Sequence, residues 1–468
     1  MIEHTYETNY IALDREALEI ERAQAIDEGR DFDAVQEEYD RLHEQTASEG
    51  HMALQDEIRE FHDRVQELPL RDDFEYEEPS GLESIRAERP EGPRQVAVDV
   101  DEEELYDRIY GAWLGRCAGC LLGAPVEGWR TDQMWGYLRD LDRYPLDDYF
   151  RADVDQAVFD RYGIERRDNP RRAFLDEIDH MPENDDTTYT IVALALLRRH
   201  GFDFESADVA RFWTRYLPLV QVATAERVAY RNFADLVYPP ESATRWNPYR
   251  EMIGAAIRAD LFGYVSLGDP EQAAELAWRD ARISHVKNGI YGAMWVAAML
   301  AAAPAVPDPQ ELVEVGLSEV PENSRLTESV HDVLDWYENG ADYDDVVDRI
   351  HDRWDETVRY DWVHVLGNAQ ILTAGLLYGD GEFGPTVCKT VQACLDTDSN
   401  GATAGSIVGM IVGASGIPDR WTDPLDDRIN TGVAPYFRGE ETPVYGYDTV
   451  AISRLARETV DLYGPLDA

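Results

Sequence analysis

The stretch LDTDSNGATAGSIVGMIVG, residues 395–413, decides the fold. From Ala402 onward it is built mainly from Gly, Ala, Ser and aliphatic residues, and such small side chains let neighbouring helices approach closely. This composition predicts a helix that belongs in the core. Asp396 and Asp398 stand at alternate positions in the polar loop before it, so their carboxylates can converge. Buried carboxylates are costly unless they are compensated, and this loop holds no Lys or Arg.

A second acidic cluster stands at the start of another apolar helix, in PENDDTTYTIVALALL. One Asp or Thr at such a start can cap the free backbone N–H groups and interact favourably with the helix dipole. Asp185 and Asp186, flanked by Asn184 and Thr187, offer more oxygen than one cap uses. A hard cation would relieve the repulsion between the neighbouring carboxylates. For this segment taken alone, capping and metal binding both remain open.

The two clusters together favour a hard divalent cation. They combine four carboxylates with the side-chain oxygens of Asn184 and Ser399 and include no His or Cys, which selects Mg²⁺, Mn²⁺ or Ca²⁺ over zinc or copper. The set is large enough for a binuclear site. The run DTDSNG also resembles the start of an EF-hand loop, but no Glu occupies the twelfth position. We therefore reject a calcium-binding hand.

Two further segments carry candidate polar residues. In GAWLGRCAGCLLGAPVEGW, glycines at four-residue steps predict a helix that runs into a loop with Glu127. In ARISHVKNGIYGAMWVAAML, His285, Asn288 and Tyr291 stand at the start of a helix. Taken alone, an acid such as Glu127 is more often solvated in its loop. A lone His at a helix start is more often a cap or a packed side chain than a ligand.

The order of these segments resembles a known family. Between residues 110 and 421 the chain carries G-x-x-x-G-x-x-x-G with GAPVEG, then DDT, then H-V-x-N-G-I-Y-G-A-M, then DTDSNGATAGSIVG followed by GIPDRW. Together these motifs resemble the ADP-ribosylglycohydrolase family, which includes the glycohydrolase that reactivates ADP-ribosylated dinitrogenase reductase. The resemblance implies a compact all-α fold, two Mg²⁺ ions (or Mn²⁺) in a cleft, and hydrolysis of a glycosidic bond to ADP-ribose.

The resemblance also implies roles for individual residues. The expected metal ligands are Asn184, Asp185, Asp186, Asp396, Asp398 and Ser399. Ser399 stands where the family usually has Thr, and Asn184 where many members have Thr or Ser. Glu127 matches the acid of the first motif, close to the metals and the scissile ribose. The candidate catalytic acids are therefore Glu127, Asp185 and Asp186. The residues expected to bind substrate in the cleft are His285, Asn288 and Tyr291.

Several functions are compatible with these motifs. The leading hypothesis is a hydrolase that removes ADP-ribose from a modified protein or another acceptor. The alternatives are a hydrolase of a small ribosylated metabolite, a protein that binds ADP-ribose without turnover, and a helical protein with purely structural metals. Cys120 stands where many family members have Gly-Asp, which suggests a subgroup with its own substrate. The complete carboxylate clusters favour catalysis.

The charge balance excludes some partners. The chain has 94 acidic residues against 43 Lys and Arg, for a net charge of −51, and Lys287 and Lys389 are its only lysines. Such a surface repels nucleic acid and anionic membranes, and it is typical of a halophilic protein that must stay hydrated in concentrated salt. No apolar run reaches the roughly 18 residues of a membrane span, and no secretory signal is recognisable, so we expect a cytoplasmic protein.

The chain divides near residue 95. Residues 1–95 are charged, with sparse apolar residues at helical spacing that predict two or three surface helices before an acidic Pro/Gly-punctuated linker over 71–93. This extension carries none of the motifs. Residues 96–468 form the expected catalytic domain, in which windows of helical period follow one another and strand patterns are scarce. The oligomeric state is left open. The four cysteines, including the Cys117/Cys120 pair, are expected to be small core residues.

Overall fold

The computed structural model describes residues 10–165, 174–433 and 448–464, and these residues form 22 α-helices. The only sheet within those ranges is a two-stranded antiparallel one, in which β1 (Arg428–Thr431) pairs with β2 (Asp448–Ala451). The predicted all-α class is confirmed. None of the helices in this part of the chain combines the length and the hydrophobicity that crossing a membrane requires.

The helices fall into two groups. Those of the N-terminal extension are α1 (Arg15–Asp27), α2 (Gln36–Glu49), α3 (Gln55–Gln66) and α4 (Leu82–Glu88). Those that follow are α5 (Glu102–Gly123), α6 (Thr131–Asp140), α7 (Gln156–Arg161), α8 (Asp185–His200), α9 (Ser206–Tyr216), α10 (Thr224–Ala234), α11 (Asp260–Tyr264), α12 (Pro270–Ala281), α13 (Lys287–Ala302), α14 (Pro309–Leu317), α15 (Arg325–Glu338), α16 (Tyr343–Arg353), α17 (Arg359–Trp362), α18 (Val365–Tyr378), α19 (Phe383–Gln392), α20 (Thr397–Val412), α21 (Asp419–Thr422) and α22 (Ile452–Val460).

Helix boundaries follow from local capping chemistry. Asp308 caps α14 by accepting a hydrogen bond from the backbone N–H of Glu311, and Pro309 occupies the first turn, where it lacks only an N–H that the helix does not use. Helix α8 begins in the same way behind Asn184 and ends at Gly201, which has a φ of 71°. These signals are local, so the sequence predicts these helices to within a few residues.

Helices α5 and α20 form the centre of the fold. They run antiparallel, with Gly111, Gly115 and Gly119 of α5 against Gly409, Gly405 and Gly401 of α20. A Cβ atom on any of the three α5 glycines would lie well inside 3.0 Å of the other helix's backbone. The two backbones therefore touch, as the small residues of both segments predict, and the end of α5 meets the start of α20.

The extension packs against the rest of the protein. Helices α1, α2 and α3 bury a small apolar cluster of their own, which includes Leu18, Phe32 and Phe61. The stretch predicted as a linker is partly helical, because LESIRAE contains good helix formers and buries Ile85 in the main core. Within the same stretch, the Glu77 N–H donates to the Asn323 carbonyl at 2.9 Å. The division at residue 95 remains a prediction.

The four cysteines are buried and free, as predicted. Burial raises the pKa of the Cys117 thiol to about 12, and the Arg116 guanidinium beside it only partly opposes this effect. A thiol in this state is neither a nucleophile nor a good metal ligand. The C-x-x-C pattern of α5 is therefore a consequence of close helix packing.

Candidate active site

The antiparallel contact of α5 and α20 brings the predicted acids together. Glu127 follows α5 after one short 3₁₀ turn, and Asp396 and Asp398 stand at the start of α20, against the end of α5. One carboxylate oxygen from each of the three acids lies within 4.8 Å of the other two. A divalent cation can accept ligands from all three at this spacing.

The second acidic cluster meets the first through Asn184. The side-chain oxygen of Asn184 caps α8 by accepting from the Asp186 N–H at 2.8 Å, and its amide nitrogen donates to Asp398 Oδ2 at 3.0 Å. Asn184 and Asp398 are 214 residues apart in sequence. Both polar atoms of the amide are thus occupied. Asn184 therefore caps α8 and links the two clusters, and its role as a metal ligand stays a prediction.

The electrostatics of the converged acids favour a cation. Burial, followed by the charges of Asp398 and Asp185, holds the pKa of Asp186 well above its ordinary value. Burial and the charges of Asp398 and Asp186 do the same for the pKa of Asp396. Two buried oxygens, Asp186 Oδ1 and Ser399 Oγ, have no hydrogen-bond partner among the described residues. An all-oxygen donor set with excess negative charge fits Mg²⁺ or Mn²⁺.

Arg116 supports the cluster from behind, although sequence reasoning missed it. It is fully buried on α5, where its Nε donates to the backbone carbonyl of Asp186 at 2.9 Å and its Nη1 to Asp260 Oδ2 at 2.7 Å. Its charge lowers the pKa of Asp186, but less than burial raises it. The sequence did offer a signal for this role. An arginine within an apolar helix of Gly, Ala and Cys is expected to be buried, and a buried charge needs polar or acidic partners.

The loop before Asp396 has a strained backbone. Cys394 and Leu395 have φ angles of 65° and 57°, in the left-handed region that non-glycine residues rarely adopt. Their neighbours hold them there. Trp362 Nε1 donates to the Leu395 carbonyl at 2.7 Å, and the Asp396 N–H donates to Asn368 Oδ1 at 3.1 Å. The position of the Asp396 carboxylate is therefore fixed by surrounding residues, and sequence spacing alone would not reveal it.

The acids line a cleft whose other walls were not predicted. Glu127, Asp185, Asp186, Asp396 and Asp398 share it with the following residues: Tyr189, Ala223, Thr224, Glu226, Met252, Ile253, Gly254, Ile257, Arg359, Trp362 and Val363. Glu127 also lines an adjoining cavity with Trp129, Arg130 and Gln133. No motif of the sequence analysis covers residues 223–257 or 359–363, so these walls could not be identified from the motifs.

Glu226 is a buried acid of this cleft. Burial raises its pKa to about 7, although Arg258 Nη1 donates to its Oε1 at 2.6 Å and opposes the shift. Gly254 lies directly against it, since a Cβ atom there would overlap the Glu226 carboxylate. A carboxyl group with a pKa near neutrality can exchange a proton in the range where enzymes work.

The residues predicted to bind substrate lie outside the cleft. His285, Asn288 and Tyr291 are fully buried. The imidazole of His285 lies behind Glu226, with Nδ1 at 4.0 Å from its carboxylate and at 2.8 Å from Ser284 Oγ. Asn288 donates to Glu78, and Tyr291 donates to the Pro79 carbonyl. None of the three is among the described residues that line the cleft, and their role in binding substrate stays a prediction.

Comparisons with known proteins give one family match and one similar solved structure. The family model described as ADP-ribosylglycohydrolase matches residues 101–446. The chain is also similar to a solved structure described as an "ADP-ribosylglycohydrolase-related protein complex", with 18% identity and a TM-score of 0.46 over 77% of this chain and 99% of that one. No curated protein matches the chain. The family match covers most of the sequence and includes all the acids of the cleft. The chain therefore belongs to the ADP-ribosylglycohydrolase family of metal-dependent glycoside hydrolases.

Proposed function

We propose that this protein is a Mg²⁺-dependent hydrolase that cleaves the glycosidic bond between ADP-ribose, or a related ribosyl group, and its acceptor. The observation that carries the proposal is the convergence of two acidic clusters and Glu127 in one cleft. The acceptor is a modified protein or a small ribosylated molecule. The acidic, lysine-poor composition supports a cytoplasmic protein from a halophile.

The acids of the cleft would hold the metal. We assign Asp185, Asp186, Asp396 and Asp398 as ligands of two Mg²⁺ ions, for which Mn²⁺ can substitute, with Ser399 Oγ as a further oxygen donor. The unpartnered oxygens of Asp186 and Ser399 support this assignment. When bound, the ions supply positive charge that orients the ribose hydroxyls and favours deprotonation of the attacking water.

Glu127 is the proposed general base. The acceptor departs with the electrons of its bond to the ribose and leaves an oxocarbenium-like ribose. A carboxylate beside it can take the proton of the attacking water and pass it to the departing acceptor. Glu127 is only half-buried and lines both the cleft and the adjoining cavity, whereas Asp186 is 3% exposed. This position lets Glu127 reach the ribose on one side and the acceptor on the other. Asp185 and Asp186 are the alternative bases.

The remaining lining suits an anionic nucleotide. Arg359 is the only basic residue among those that line the cleft in the described part of the chain. It is exposed, and its guanidinium lies 4.8 Å from the ring centroid of Trp362. An arginine at the rim can form charge-assisted hydrogen bonds with a phosphate, and the nearby aromatic rings offer a surface for a base. This arrangement supports a phosphorylated ribosyl substrate.

Turnover tests the proposal. Metal-free protein in molar salt is assayed with and without Mg²⁺ against ADP-ribosyl-arginine, ADP-ribosyl-serine, O-acetyl-ADP-ribose and simple nucleosides. Mg²⁺-dependent release of ADP-ribose from one of the first three is expected. Turnover of nucleosides alone would instead indicate a small-metabolite hydrolase, and binding of ADP-ribose without turnover would indicate a binding protein.

A matched variant makes the assay specific for the metal cluster. Asp398→Asn removes a charge without changing volume, and the variant should lose both turnover and Mg²⁺ affinity while remaining folded. Thermal melts of the parent and the variant in EDTA provide the control for folding. Full turnover by the variant would contradict the assignment of Asp398.

A further inference from the structure

One wall of the cleft is made of two short backbone strips, residues 250–254 and 362–365. They pair like a fragment of antiparallel sheet, with a bridge between Met252 and His364. The Ile253 N–H donates to the Val363 carbonyl at 3.0 Å, and the Val365 N–H to the Glu251 carbonyl at 3.2 Å. Because Met252 and Val363 line the cleft, the positions of both strips determine its width.

The extension supplies the counter-charges behind this wall. Arg250, the first residue of the first strip, is 1% exposed, and its guanidinium donates to Glu21 at 2.7 Å and to Glu28 at 2.6 Å. Glu21 belongs to α1, Glu28 is the residue that follows its last turn, and both are buried. Glu28 also pairs with Lys287 at 3.2 Å. The charge of Arg250 is therefore balanced by residues of the extension.

A second buried arginine also depends on acids of the extension to balance its charge. Arg325 is 2% exposed and donates to Asp27 at 2.6 Å and to Glu78 at 2.7 Å, both from the extension. Its remaining partner is Glu251 of the first strip, at 2.7 Å. Three carboxylates from two parts of the chain thus meet on one guanidinium.

This guanidinium also explains a cluster that resembles a metal site. Asp27, Glu251 and His364 have ligand atoms within 4.8 Å of one another. Arg325 already donates to both carboxylates of the cluster. A divalent cation there would lie beside a buried positive charge, so the role of the cluster is to join the extension to the wall.

Apolar packing reinforces these ion pairs. Ile20 of α1 is 2% exposed and belongs to one buried cluster with Tyr249, Met252 and Val363. Ala23, one turn further along α1, packs against the same cluster. Side chains of the extension therefore belong to the same buried apolar cluster as two residues that line the cleft, Met252 and Val363.

We propose that the N-terminal extension is a positioning element of the active-site cleft and not a separable appendage. Without it, Arg250 and Lys287 would lose the acidic partners named above, and Arg325 would keep only Glu251. Such unpaired buried charge is strongly destabilising. The wall would open or rearrange while the metal cluster, anchored by α5 and α20, stayed in place. The kinetic part of this inference rests on the proposed function, whereas its structural part does not.

Hydrogen exchange tests the structural part on the full-length protein. Glu28→Gln removes one buried charge without changing the side-chain volume. We expect hydrogen exchange at the Ile253 and Val365 amides to become about tenfold faster or more. With one ion pair missing, local opening of the two strips costs less free energy. Amides in the middle of α5 should be unchanged. Glu38→Gln, which breaks an ion pair with Arg64 within the extension, is the matched control and should leave both regions as in the parent.

Kinetics test the functional part. Glu28→Gln should raise KM for the ADP-ribosyl substrate about fivefold or more while kcat and Mg²⁺ affinity change little, since the wall contacts substrate and not metal. The double variant Glu28→Gln/Lys287→Met restores part of the charge balance. Its KM should therefore lie between that of Glu28→Gln and that of the parent. A general loss of stability would not give this pattern.

The outcomes separate the two proposals. Faster exchange at the wall without measurable turnover in any variant or in the parent would contradict the proposed function and leave the positioning role supported. Parent-like exchange and KM in folded Glu28→Gln would overturn the positioning role. If Glu28→Gln does not fold, Ile20→Val replaces it, because it removes one methyl group from the buried cluster that also contains Met252 and Val363. A folded Ile20→Val protein with parent-like exchange would likewise overturn it.

Discussion

The contact between α5 and α20 offers the most demanding test of how the fold builds the site. A Cβ atom placed on Gly119 would lie 1.9 Å from the Gly401 carbonyl oxygen. Restoring even a 3.0 Å contact requires the two helices to separate by about 1 Å. The obstacle is backbone on both sides, so no side-chain rotation relieves it. We therefore choose Gly119→Ala as the perturbation.

Two opposing effects determine the expected magnitude. Replacing Gly by Ala inside a helix stabilises it by about 1 kcal/mol through backbone entropy. Overpacking a well-packed core costs about 1–3 kcal/mol, and a collision with backbone lies at the upper end of that range. The expected net effect is a loss of about 2 kcal/mol. Because Glu127 follows α5 and Asp398 belongs to α20, a shift of about 1 Å between them should also lower kcat/KM about 100-fold.

Thermal melts and turnover in molar salt measure both effects. The control is Gly81→Ala in the extension, where the nearest atom to the added Cβ is Ser84 Oγ at an ordinary 3.8 Å. This variant should match the parent in activity and stability. If Gly119→Ala proves as stable as the parent or more stable, with unchanged turnover, then helix propensity outweighs packing. The account of how α5 and α20 align the acids would then be wrong.

Three further substitutions address individual residues. Glu127→Gln should lower kcat about 10²–10⁴-fold with little change in KM, as expected for loss of a general base, and a rate within twofold of the parent would exclude Glu127 from that role. Arg359→Ala should raise KM for an ADP-ribosyl substrate about tenfold but leave KM for a phosphate-free ribosyl substrate unchanged. The control Arg353→Ala, outside the cleft lining, should change neither KM. Equal effects of Arg359→Ala on both substrates would argue against phosphate recognition. Burial lowers the pKa of His364 to about 4, so the unfolded chain binds a proton below pH 6.5 that the folded protein does not bind until about pH 4. Stability is therefore lost as the pH falls through this window, by about 2 kcal/mol between pH 7 and pH 5, and His364→Gln should reduce this loss; an unchanged pH dependence of urea unfolding would contradict the assignment.

The sequence predicted the helices and singled out the acids of the cleft because both depend on local patterns. Helical periodicity and caps set the boundaries of α8 and α14, and small residues at four-residue steps marked α5 as a helix that others approach closely. The acidic residues could be assigned because Asp185, Asp186, Asp396 and Asp398 stand at helix starts, and the antiparallel packing of α5 and α20 brings Glu127 to the second pair.

The direction in which a side chain points was not predictable. Position in a motif placed His285, Asn288 and Tyr291 at a helix start but did not show that this start faces the extension. The acids of α1 resemble a solvated helix face in a chain with 94 acidic residues, so only the tertiary contacts with Arg250 and Arg325 reveal their burial. Glu226 and Arg359 reach the cleft from segments without any recognised motif.

Anomalous diffraction from crystals grown with Mn²⁺ tests the central claim most directly, because it locates the metal without reference to activity. We expect two anomalous peaks in the cleft, each within about 2.5 Å of carboxylate oxygens from Asp185, Asp186, Asp396 or Asp398, with Glu127 beside them. A cleft without anomalous density at millimolar Mn²⁺, or peaks confined to other acidic groups of the surface, would contradict it.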